Sequence, residues 1–410
     1  MTWQIVALGE VAELLIGFAF KSTGFLDASS DGIKLVRGDN VQQGTIRWGE
    51  KAKKWPAEDF DDLSRFQLRL GDVILAMDRP IVGGGLKLAW IKDDDLPCLL
   101  VQRVCCVRGK EGIGDTLYLR YLLSEARFSA HIDRITTGAN IPHISGKDIA
   151  AYSFRLPPID EQRQIAKTIA AYDDLIENNQ RRIHLLEEAA RRLYREWIVP
   201  LRFPGHERVQ VVEGVPQGWG RRTLGDVCDA AGGATPTTAR ADFWDGDITW
   251  LTPTDVTRNK CLFLADSARK ITSAGLESCS SQLMPAGTIF MTSRASIGYF
   301  AILDHAACTN QGFISVVPTA MHSREFLLFH LMSRVEEFIS RSTGSTFLEL
   351  SKKTFRNMEC VWPSNEVLER YSRQVGPMLK QIEVLKKQLD AAKAARDALL
   401  PRLMSGALAV

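Results

Sequence analysis

Residues that could do chemistry are common in this 410-residue sequence, but none stands in the spacing of a familiar catalytic motif. No GxxxxGK[ST] phosphate loop occurs, and the glycines at 83–85 lack the GxGxxG spacing. The seven histidines form no HExxH pair, and GxSxG is absent. In RLPPID, Pro157 and Pro158 lack the Asn or Asp that precedes them in adenine methyltransferases. The sequence therefore predicts a chain without a catalytic site of its own.

One polar phrase occurs twice, each time just before a long helical pattern. TTGANIPHISGKDI covers residues 136–149, and STGSTFLELSKKTF covers residues 342–355. Aligned at one constant offset, the two copies share a Thr-Gly pair, an aliphatic residue followed by Ser, and a Lys. A proline follows each copy at the same distance, Pro157 and Pro363. This duplication raises the expectation of an internal repeat.

The repeat extends along the whole chain. The opening residues Trp3, Leu8 and Gly9 reappear as Trp219, Leu224 and Gly225, and Gly71 reappears as Gly287. Each half contains short apolar runs rich in β-branched residues and separated by Gly, Asp or Pro, a pattern typical of strands. Helical periodicity is limited to segments near 116–131 and 323–340. We interpret the chain as two copies of a mostly-β globular domain, each followed by a long helix.

The two long helical patterns carry matching heptad stripes. Apolar residues alternate at four and three from Ile165 to Trp197 and again from Tyr371 to Leu403. Stripes of equal length and register favour a coiled coil, with separate amphipathic helices as the alternative. Antiparallel pairing would place one domain at each end and relate the units by a pseudo-twofold axis, whereas parallel pairing would crowd both domains at one end. Asn179 is a polar residue in the first stripe, and such a residue can fix register at a cost in stability.

The fold class predicted is α+β, with two mostly-β domains separated by two long helices in an antiparallel coiled coil. The predicted boundaries are 1–158 for the first domain, 159–198 for the central helix, 199–218 for a linker, 219–362 for the second domain and 363–410 for the C-terminal helix.

Composition sets wider limits. Apolar residues make up 45% and charged residues 24%, as in globular domains. No apolar run approaches the ~18–20 residues of a membrane span, and no signal peptide is evident. The eight cysteines are scattered without CxxC, which favours reduced thiols and a cytoplasmic location. The net charge is only +2, so composition alone would not indicate a nucleic-acid partner.

Several short sequence motifs resemble those of a known protein family. TGANIPHIS, LPPIDEQRQIA, a helix ending LYREWIV, FPGHE and VPQGW resemble the specificity subunit of type I restriction–modification systems. In the second half SRASIGYFA, TNQGFISVV, STGS and LLPRLMSGAL resemble it as well. The second copy departs from the pattern, because IPHIS becomes FLELS and the EQ at the helix start is lost.

The resemblance implies two target recognition domains, each contacting one half of a split, asymmetric site on double-stranded DNA. The helices would dock two methyltransferase subunits, which bind S-adenosylmethionine and flip out an adenine, and restriction/translocase subunits using ATP and Mg would join them. This chain would bind no cofactor itself and would be a non-catalytic subunit. The repeat would then mimic a symmetric dimer within one chain.

Sequence readout needs Arg, Lys, Asn or Gln presented to base edges in the major groove. Any of these residues could instead be a turn residue, a phosphate contact or a surface ion pair. The candidates are Arg37, Asn40, Arg79, Gln102, Arg103, Thr137, Asn140 and His143 in the first domain, and Thr254, Arg258, Arg294, Ser296, Asn310, Gln311, Ser345 and Thr346 in the second.

Other functions remain open on the sequence alone. The chain could serve another methylation-based phage-defence system, or it could be a coiled-coil scaffold that binds proteins and no DNA. A stand-alone enzyme with an unrecognised site is a third alternative. Sequence-dependent, salt-sensitive DNA binding in the presence of a methyltransferase separates a DNA-specificity subunit from a protein-binding scaffold.

Overall fold

The computed structural model describes residues 3–136, 142–320 and 322–409. The chain forms two compact units. Unit 1 comprises Met1–Asp174 with Lys393–Val410, and unit 2 comprises Leu175–Ala392. Each unit therefore combines a globular part with portions of two long helices. Because unit 1 is made of two separate stretches of the chain, one continuous residue range does not describe it.

The globular part of unit 1 contains short strands and four short helices among its described residues, and the first long helix follows it. In chain order these are β1 (Gln4–Ala7), α1 (Leu8–Val11), β2 (Ala12–Ile16), β3 (Leu26–Asp27), β4 (Ile33–Val36), β5 (Lys53–Trp55), β6 (Val73–Ala76), β7 (Ile81–Val82), β8 (Gly85–Leu86), β9 (Leu88–Trp90), β10 (Cys98–Leu100), β11 (Val104–Gly109), α2 (Thr116–Leu123), α3 (Ala126–Ile135), α4 (Gly146–Ala150), β12 (Ser153–Leu156) and α5 (Ile159–Ile198).

The second half of the chain has a closely similar element order, ending in the second long helix. Its elements are β13 (Val211–Val212), β14 (Val215–Pro216), β15 (Gly220–Thr223), α6 (Leu224–Val227), β16 (Cys228–Gly232), β17 (Trp244–Leu251), α7 (Pro253–Arg258), β18 (Lys270–Ile271), α8 (Ser273–Glu277), β19 (Ile289–Thr292), β20 (Phe300–Ile302), β21 (Ala307–Thr309), β22 (Phe313–Pro318), α9 (Arg324–Ser333), α10 (Val335–Ser340), α11 (Lys352–Arg356), β23 (Glu359–Trp362) and α12 (Asn365–Met404).

Unit 1 is built on two four-stranded sheets, with orders β2-β11-β6-β9 and β10-β4-β5-β3. The first is antiparallel throughout, and the second contains one parallel pair, β4 with β10. Every residue of β6 is buried, as expected for a strand that has neighbours on both sides and both faces covered. β1 pairs with β12 and so joins the start of the chain to the segment that enters α5.

Unit 2 repeats this plan. Its antiparallel sheet has the order β16-β22-β19-β20, and β17 pairs in parallel with β21 as β4 does with β10. β15 pairs with β23, the strand that enters α12. The strands predicted from apolar runs are present, and each predicted short-helix region contains two helices, α2 with α3 and α9 with α10.

The long helices meet in unit 1 through an apolar core and one polar contact. Ile165 and Ile169 of α5 share a buried cluster with Leu403 of α12. Further along α5, Asp173 accepts a hydrogen bond from Arg396 of α12 at 2.9 Å. Residue numbers thus rise along one helix as they fall along the other, so the helices run antiparallel.

In unit 2 the opposite portions of the same helices meet. Tyr371, near the start of α12, is fully buried and donates its hydroxyl hydrogen to the Ala190 carbonyl of α5 at 3.3 Å. Its ring lies 5.4 Å from that of Trp197 near the end of α5. The predicted α+β class and the antiparallel pairing of the long helices are confirmed.

Equivalent backbone hydrogen bonds confirm the internal repeat. In each unit, residues just after the central strand (β6 in unit 1, β19 in unit 2) form hydrogen bonds with two loops. One loop precedes the last short helix (α4 or α11), and the other precedes the neighbouring strand (β11 or β22). The unit 1 bonds are Arg79 N to Pro142 O (2.7 Å), Ile144 N to Met77 O (3.0 Å) and Met77 N to Arg103 O (2.9 Å). The unit 2 bonds are Ala295 N to Leu348 O (2.9 Å), Leu350 N to Ser293 O (2.9 Å) and Ser293 N to Gly312 O (2.8 Å).

Within the described part of the chain, no helix has the length and apolar character needed to cross a membrane.

Asn179 occupies a heptad position in α5 and is only 1% exposed. Among the described residues its Nδ2 has no hydrogen-bond partner. Because a buried donor without a partner costs about 1–3 kcal/mol, we expect Asn179→Leu to raise the free energy of unfolding by about that amount. Urea unfolding of the full chain measures it, with the exposed neighbour Gln180→Leu as control. A loss of stability in Asn179→Leu would contradict the assignment.

The buried His330 makes the stability of unit 2 depend on pH in the acid range. Burial, with a smaller contribution from the Arg334 guanidinium, lowers the pKa of this imidazole from 6.5 to about 3. Its Nδ1 lies 2.9 Å from the Tyr194 hydroxyl. Below pH 6.5 the unfolded chain binds a proton that the folded ring does not, so stability falls as pH falls from 6.5 towards 3.

We therefore expect the free energy of unfolding to drop by about 1.4 kcal/mol more in the wild type than in His330→Gln between pH 7.5 and 5.5. Urea titrations followed by tryptophan fluorescence at the two pH values give the difference. Equal pH dependence in the two proteins would mean that His330 is not held neutral by the fold.

Candidate nucleic-acid interface

Three segments meet where the central strand of unit 1 ends. Residues 78–79 leave β6, residues 102–103 precede β11, and residues 142–143 precede α4. The backbone hydrogen bonds that tie these segments together also fix which side chains are adjacent. We call these six residues the unit 1 loop cluster.

Two arginines of the cluster have unusual backbone conformations. Arg79 has φ 46° and Arg103 has φ 65°, in the left-handed region that non-glycine residues rarely adopt. Backbone strain of this kind costs on the order of 1–3 kcal/mol and persists only where surrounding contacts determine the conformation. Both side chains are exposed. The cluster therefore holds two guanidinium groups at the surface on a strained backbone that hydrogen bonds tie to neighbouring segments.

Asp78 contacts two other side chains of the cluster, those of Arg103 and His143. Its two carboxylate oxygens each accept from Arg103 Nη1 at 3.1 Å, and Oδ1 lies 2.6 Å from His143 Nδ1. The side chain of Arg103 is 59% exposed, that of His143 40% and that of Asp78 25%. Of these three side chains, the carboxylate of Asp78 is thus the least exposed. Among the described residues, Arg103 Nη2 and Nε have no hydrogen-bond partner.

Lys87 adds another cation that the sequence patterns did not single out. Its backbone N–H donates to the Pro80 carbonyl at 2.7 Å, directly after the loop cluster. Burial lowers the pKa of its ammonium; Asp39 and Asp78 oppose that shift, and Arg79 adds to it. Lys87 is therefore near enough to Asp78 and Arg79 for their charges to affect its pKa. A single Lys inside a strand pattern gave no signal for such a role.

The other predicted residues of unit 1 differ in how free their side chains are. Asn40 is 6% exposed, and its Oδ1 accepts the Arg37 N–H at 2.7 Å within a turn. Arg37 is half-buried, lies over the Phe25 ring and bonds Asp39 at 3.2 Å. Gln102 is exposed beside Arg103. The geometry thus gives Asn40 a structural role in its turn, and base contact by any of these residues stays a prediction.

Two predicted residues, Thr137 and Asn140, lie outside the described residues.

Unit 2 has an equivalent loop cluster, formed by residues 294–296, 311–312 and 348–349. Arg294 pairs with Glu349, with Nε to Oε2 at 3.8 Å, and their side chains are 44% and 49% exposed. By backbone position Arg294 corresponds to Asp78 and Glu349 to His143, because the β-bridge Arg294–Glu349 repeats the bridge Asp78–His143. At the strand end the same backbone position therefore carries a carboxylate in unit 1 and a guanidinium in unit 2.

A tight loop projects from the unit 2 cluster. Thr343 and Glu349 exchange backbone hydrogen bonds of 3.1 and 2.9 Å across it. A Cβ at Gly344, whose φ is +141°, would lie 2.1 Å from the Phe347 carbonyl oxygen, so the turn leaves no room for a side chain there. The loop exposes the predicted residues Ser345 and Thr346, together with Phe347, whose residue is 59% exposed. Sequence reasoning missed Phe347, although the doubled phrase contains it.

The remaining polar residues of the unit 2 cluster are partly occupied by local bonds. Asn310 Oδ1 accepts the Gly312 N–H at 2.9 Å, which shapes the loop before β22. Gln311 Oε1 accepts from the Thr235 hydroxyl at 2.7 Å, and Gln311 is exposed. The exposed Ser296 offers its carbonyl to the Thr292 hydroxyl. Gln311 corresponds in backbone position to Gln102, so both clusters present a glutamine at the same place.

The other two predicted residues of unit 2 lie on α7. Thr254 and Arg258 are both exposed. No bond to Arg258's guanidinium is present among the described residues, so this side chain is free to meet a phosphate or a base. The structure does not bring it into the loop cluster through any bond, and its role stays a prediction.

The described residues offer little for bond-making chemistry. They contain no group of three or more His, Cys, Asp or Glu side chains able to hold a metal ion. Burial raises the pKa of the Cys98 and Cys105 thiols to about 12, so these remain protonated near neutral pH and are poor nucleophiles. The arrangement of exposed guanidinium and amide groups is suited to hydrogen bonding with base edges or phosphates.

Similarity to known proteins agrees with this arrangement. The sequence matches the family model described as "Type I restriction modification DNA specificity domain" over residues 1–188 and 216–387. The type I restriction enzyme MjaIX specificity subunit of Methanocaldococcus jannaschii is 36% identical over 182 residues, 42% of this chain and 42% of that protein. The HindI specificity subunit of Haemophilus influenzae is 22% identical over 415 residues, 85% of this chain and 89% of that protein.

The matched stretch spans less than half the length of the two M. jannaschii relatives MjaIX and MjaVIII. A solved structure also shares the fold. The crystal structure of a type I restriction–modification S subunit from M. genitalium has a TM-score of 0.66 at 16% identity, covering 98% of this chain and 96% of that one. Because the family model matches both halves and most of its length, this chain belongs to the type I restriction–modification DNA specificity family.

Proposed function

We propose that this chain is the DNA sequence-specificity subunit of a type I restriction–modification complex. It recognises a bipartite, asymmetric site on double-stranded DNA and is a scaffold for two methyltransferase subunits and for restriction/translocase subunits. The chain itself is non-catalytic. S-adenosylmethionine binds to the methyltransferase subunits, and ATP and Mg to the restriction subunits.

The observation that carries the proposal is the pair of equivalent loop clusters. Each presents an exposed arginine, Arg103 in unit 1 and Arg294 in unit 2, next to a carboxylate. Arginine is the side chain that most often recognises guanine, through two hydrogen bonds to O6 and N7 in the major groove. Two such clusters on one repeated backbone suit the recognition of two half-sites.

The balance of charge is consistent with recognition of bases more than of phosphates. The net charge is +2 for 410 residues, and Arg103 and Arg294 are already paired with carboxylates. Non-specific binding depends on the number of phosphates that a protein neutralises, so this chain should bind random DNA weakly by itself. Firm binding is then expected in the complex, where methyltransferase subunits add their own DNA contacts.

We expect the chain alone to transfer no methyl group, and a complex with its methyltransferase to methylate adenines within one bipartite motif. The reason is that the chain supplies sequence recognition and the partner supplies the reaction. Sequencing of methylated bases in cells expressing both proteins, each alone, or neither tests this expectation.

Methyl transfer by the purified chain alone would contradict the non-catalytic assignment. Methylation that is independent of this chain, or without a shared motif, would contradict the specificity role.

The two arginines should act on different half-sites. Arg103→Ala and Arg294→Ala are each expected to cost about 1–3 kcal/mol of discrimination at one base pair, because each removes a potential bidentate contact. Competition binding of the complex to duplexes with single base-pair changes measures this effect. Arg163→Ala in unit 1 and Arg202→Ala in unit 2 are matched controls, since both are exposed arginines in ion pairs away from the loop clusters.

Uniform weakening on all duplexes, with a smaller salt dependence, would instead identify either arginine as a phosphate contact.

A further inference from the structure

The two loop clusters use the same backbone but place their carboxylates on different segments. At the strand end unit 1 has Asp78 and unit 2 has Arg294; in the loop before the last short helix unit 1 has His143 and unit 2 has Glu349. The position of Arg103 in unit 1 is taken by glycine in unit 2. Each cluster thus contains an arginine next to a carboxylate, but the carboxylate is at the strand end in unit 1 and in the loop before the last short helix in unit 2.

The contacts within each cluster occupy only some of the N–H donors of its guanidinium group. Asp78 bonds to Nη1 of Arg103, and Glu349 lies at 3.8 Å from Nε of Arg294. No other hydrogen bond or ion pair of these two guanidinium groups is present among the described residues. A guanidinium has five N–H donors, so each arginine retains at least two that point elsewhere. Two donors are what a bidentate contact with guanine requires.

A carboxylate in this position has two physical consequences. It restricts the rotation of a long side chain before DNA arrives, so less conformational entropy is lost on binding. It also repels phosphate and neutralises the arginine, which reduces attraction to the DNA backbone. Both effects favour discrimination between bases over general affinity for DNA.

In unit 1 the carboxylate is itself fixed. His143 contacts Asp78 Oδ1 at 2.6 Å, and the two residues are bridged through their backbones. The side chain of Asp78 is 25% exposed, far less than that of Arg103. Asp78 is therefore a rigid support with the more mobile arginine on its outer side.

We propose that Asp78 and Glu349 are positioning residues, each holding one arginine, Arg103 or Arg294, for base recognition in one half-site only. This inference rests on the proposed function. It assigns a specificity role to acidic residues that make no attractive contact with DNA.

The test uses the complex with its methyltransferase and compares Asp78→Asn and Glu349→Gln with wild type. For Asp78→Asn we expect discrimination at one base pair of one half-site to fall on the order of ten-fold. Binding to random duplex should be unchanged or stronger, with a steeper salt dependence, because a negative charge is removed. Glu349→Gln should show the same changes in the other half-site.

Matched controls separate positioning from folding. Asp27→Asn removes an exposed carboxylate that is paired with Lys53 and should leave discrimination unchanged. Asp78→Glu should restore much of the wild-type discrimination. In the Arg103→Ala background, Asp78→Asn should have no further effect on discrimination, since its partner is already gone.

The outcomes are distinct. Equal loss of binding to specific and random duplexes, or a lowered unfolding midpoint, would assign Asp78 a structural role and overturn the inference. Unchanged discrimination in both variants would overturn it as well. If the wild-type complex itself showed no sequence preference, the proposed function would fail, independently of these residues.

Discussion

Backbone hydrogen bonding at the end of the central strand is the constraint on which each loop cluster depends. In unit 1 Met77 and Arg79 bond across to the loop that precedes α4, and in unit 2 Ser293 and Ala295 do the same before α11. These bonds join segments far apart in sequence at a point where the strand core ends and solvent begins. Without them the exposed arginines would lie on independent loops, with no defined spacing from one another.

The pairing also explains why strained backbone is found here. Arg79, Arg103 and Ala295 have positive φ values of 46°, 65° and 60°, and all three belong to the loop clusters. A left-handed conformation in a non-glycine residue persists only when surrounding contacts outweigh its cost. Backbone bonds on both sides supply those contacts. In a regular strand successive side chains point to opposite faces of the sheet, so one of every two neighbours would point into the core. The left-handed conformation interrupts this alternation and redirects the side chains.

Much of the fold follows from the sequence by simple periodicity. The antiparallel helices show as two heptad stripes, and Ile165, Tyr371 and Leu403 are buried as that pattern requires. Strands such as β6 and β19 follow from apolar runs next to Gly71 and Gly287. These features are local, and period and composition are sufficient to find them.

The composition of the candidate site could be predicted only in part. Arg79, Arg103 and His143 were identified by residue type, but their meeting around Asp78 depends on long-range backbone pairing that no local pattern reports. Asp78 was missed because a carboxylate is not expected to contact DNA. Asn40 has the residue type of a base reader, yet its amide closes a turn. Residue type indicates what a side chain could bind, whereas only tertiary contacts decide whether it is free to do so.

The different charged residues at equivalent positions of the two units indicate how specificity can change. Arg103, His143, Arg294 and Glu349 are each at least 40% exposed at the side chain, so replacing them removes little buried contact. Surface substitutions of this kind usually alter stability by less than about 0.5 kcal/mol. The backbone bonds that organise the cluster do not involve those side chains, which explains how both units retain one geometry with different charged residues at equivalent positions. A loop cluster built in this way can carry its carboxylate on different segments without refolding, and in both units an arginine lies next to that carboxylate.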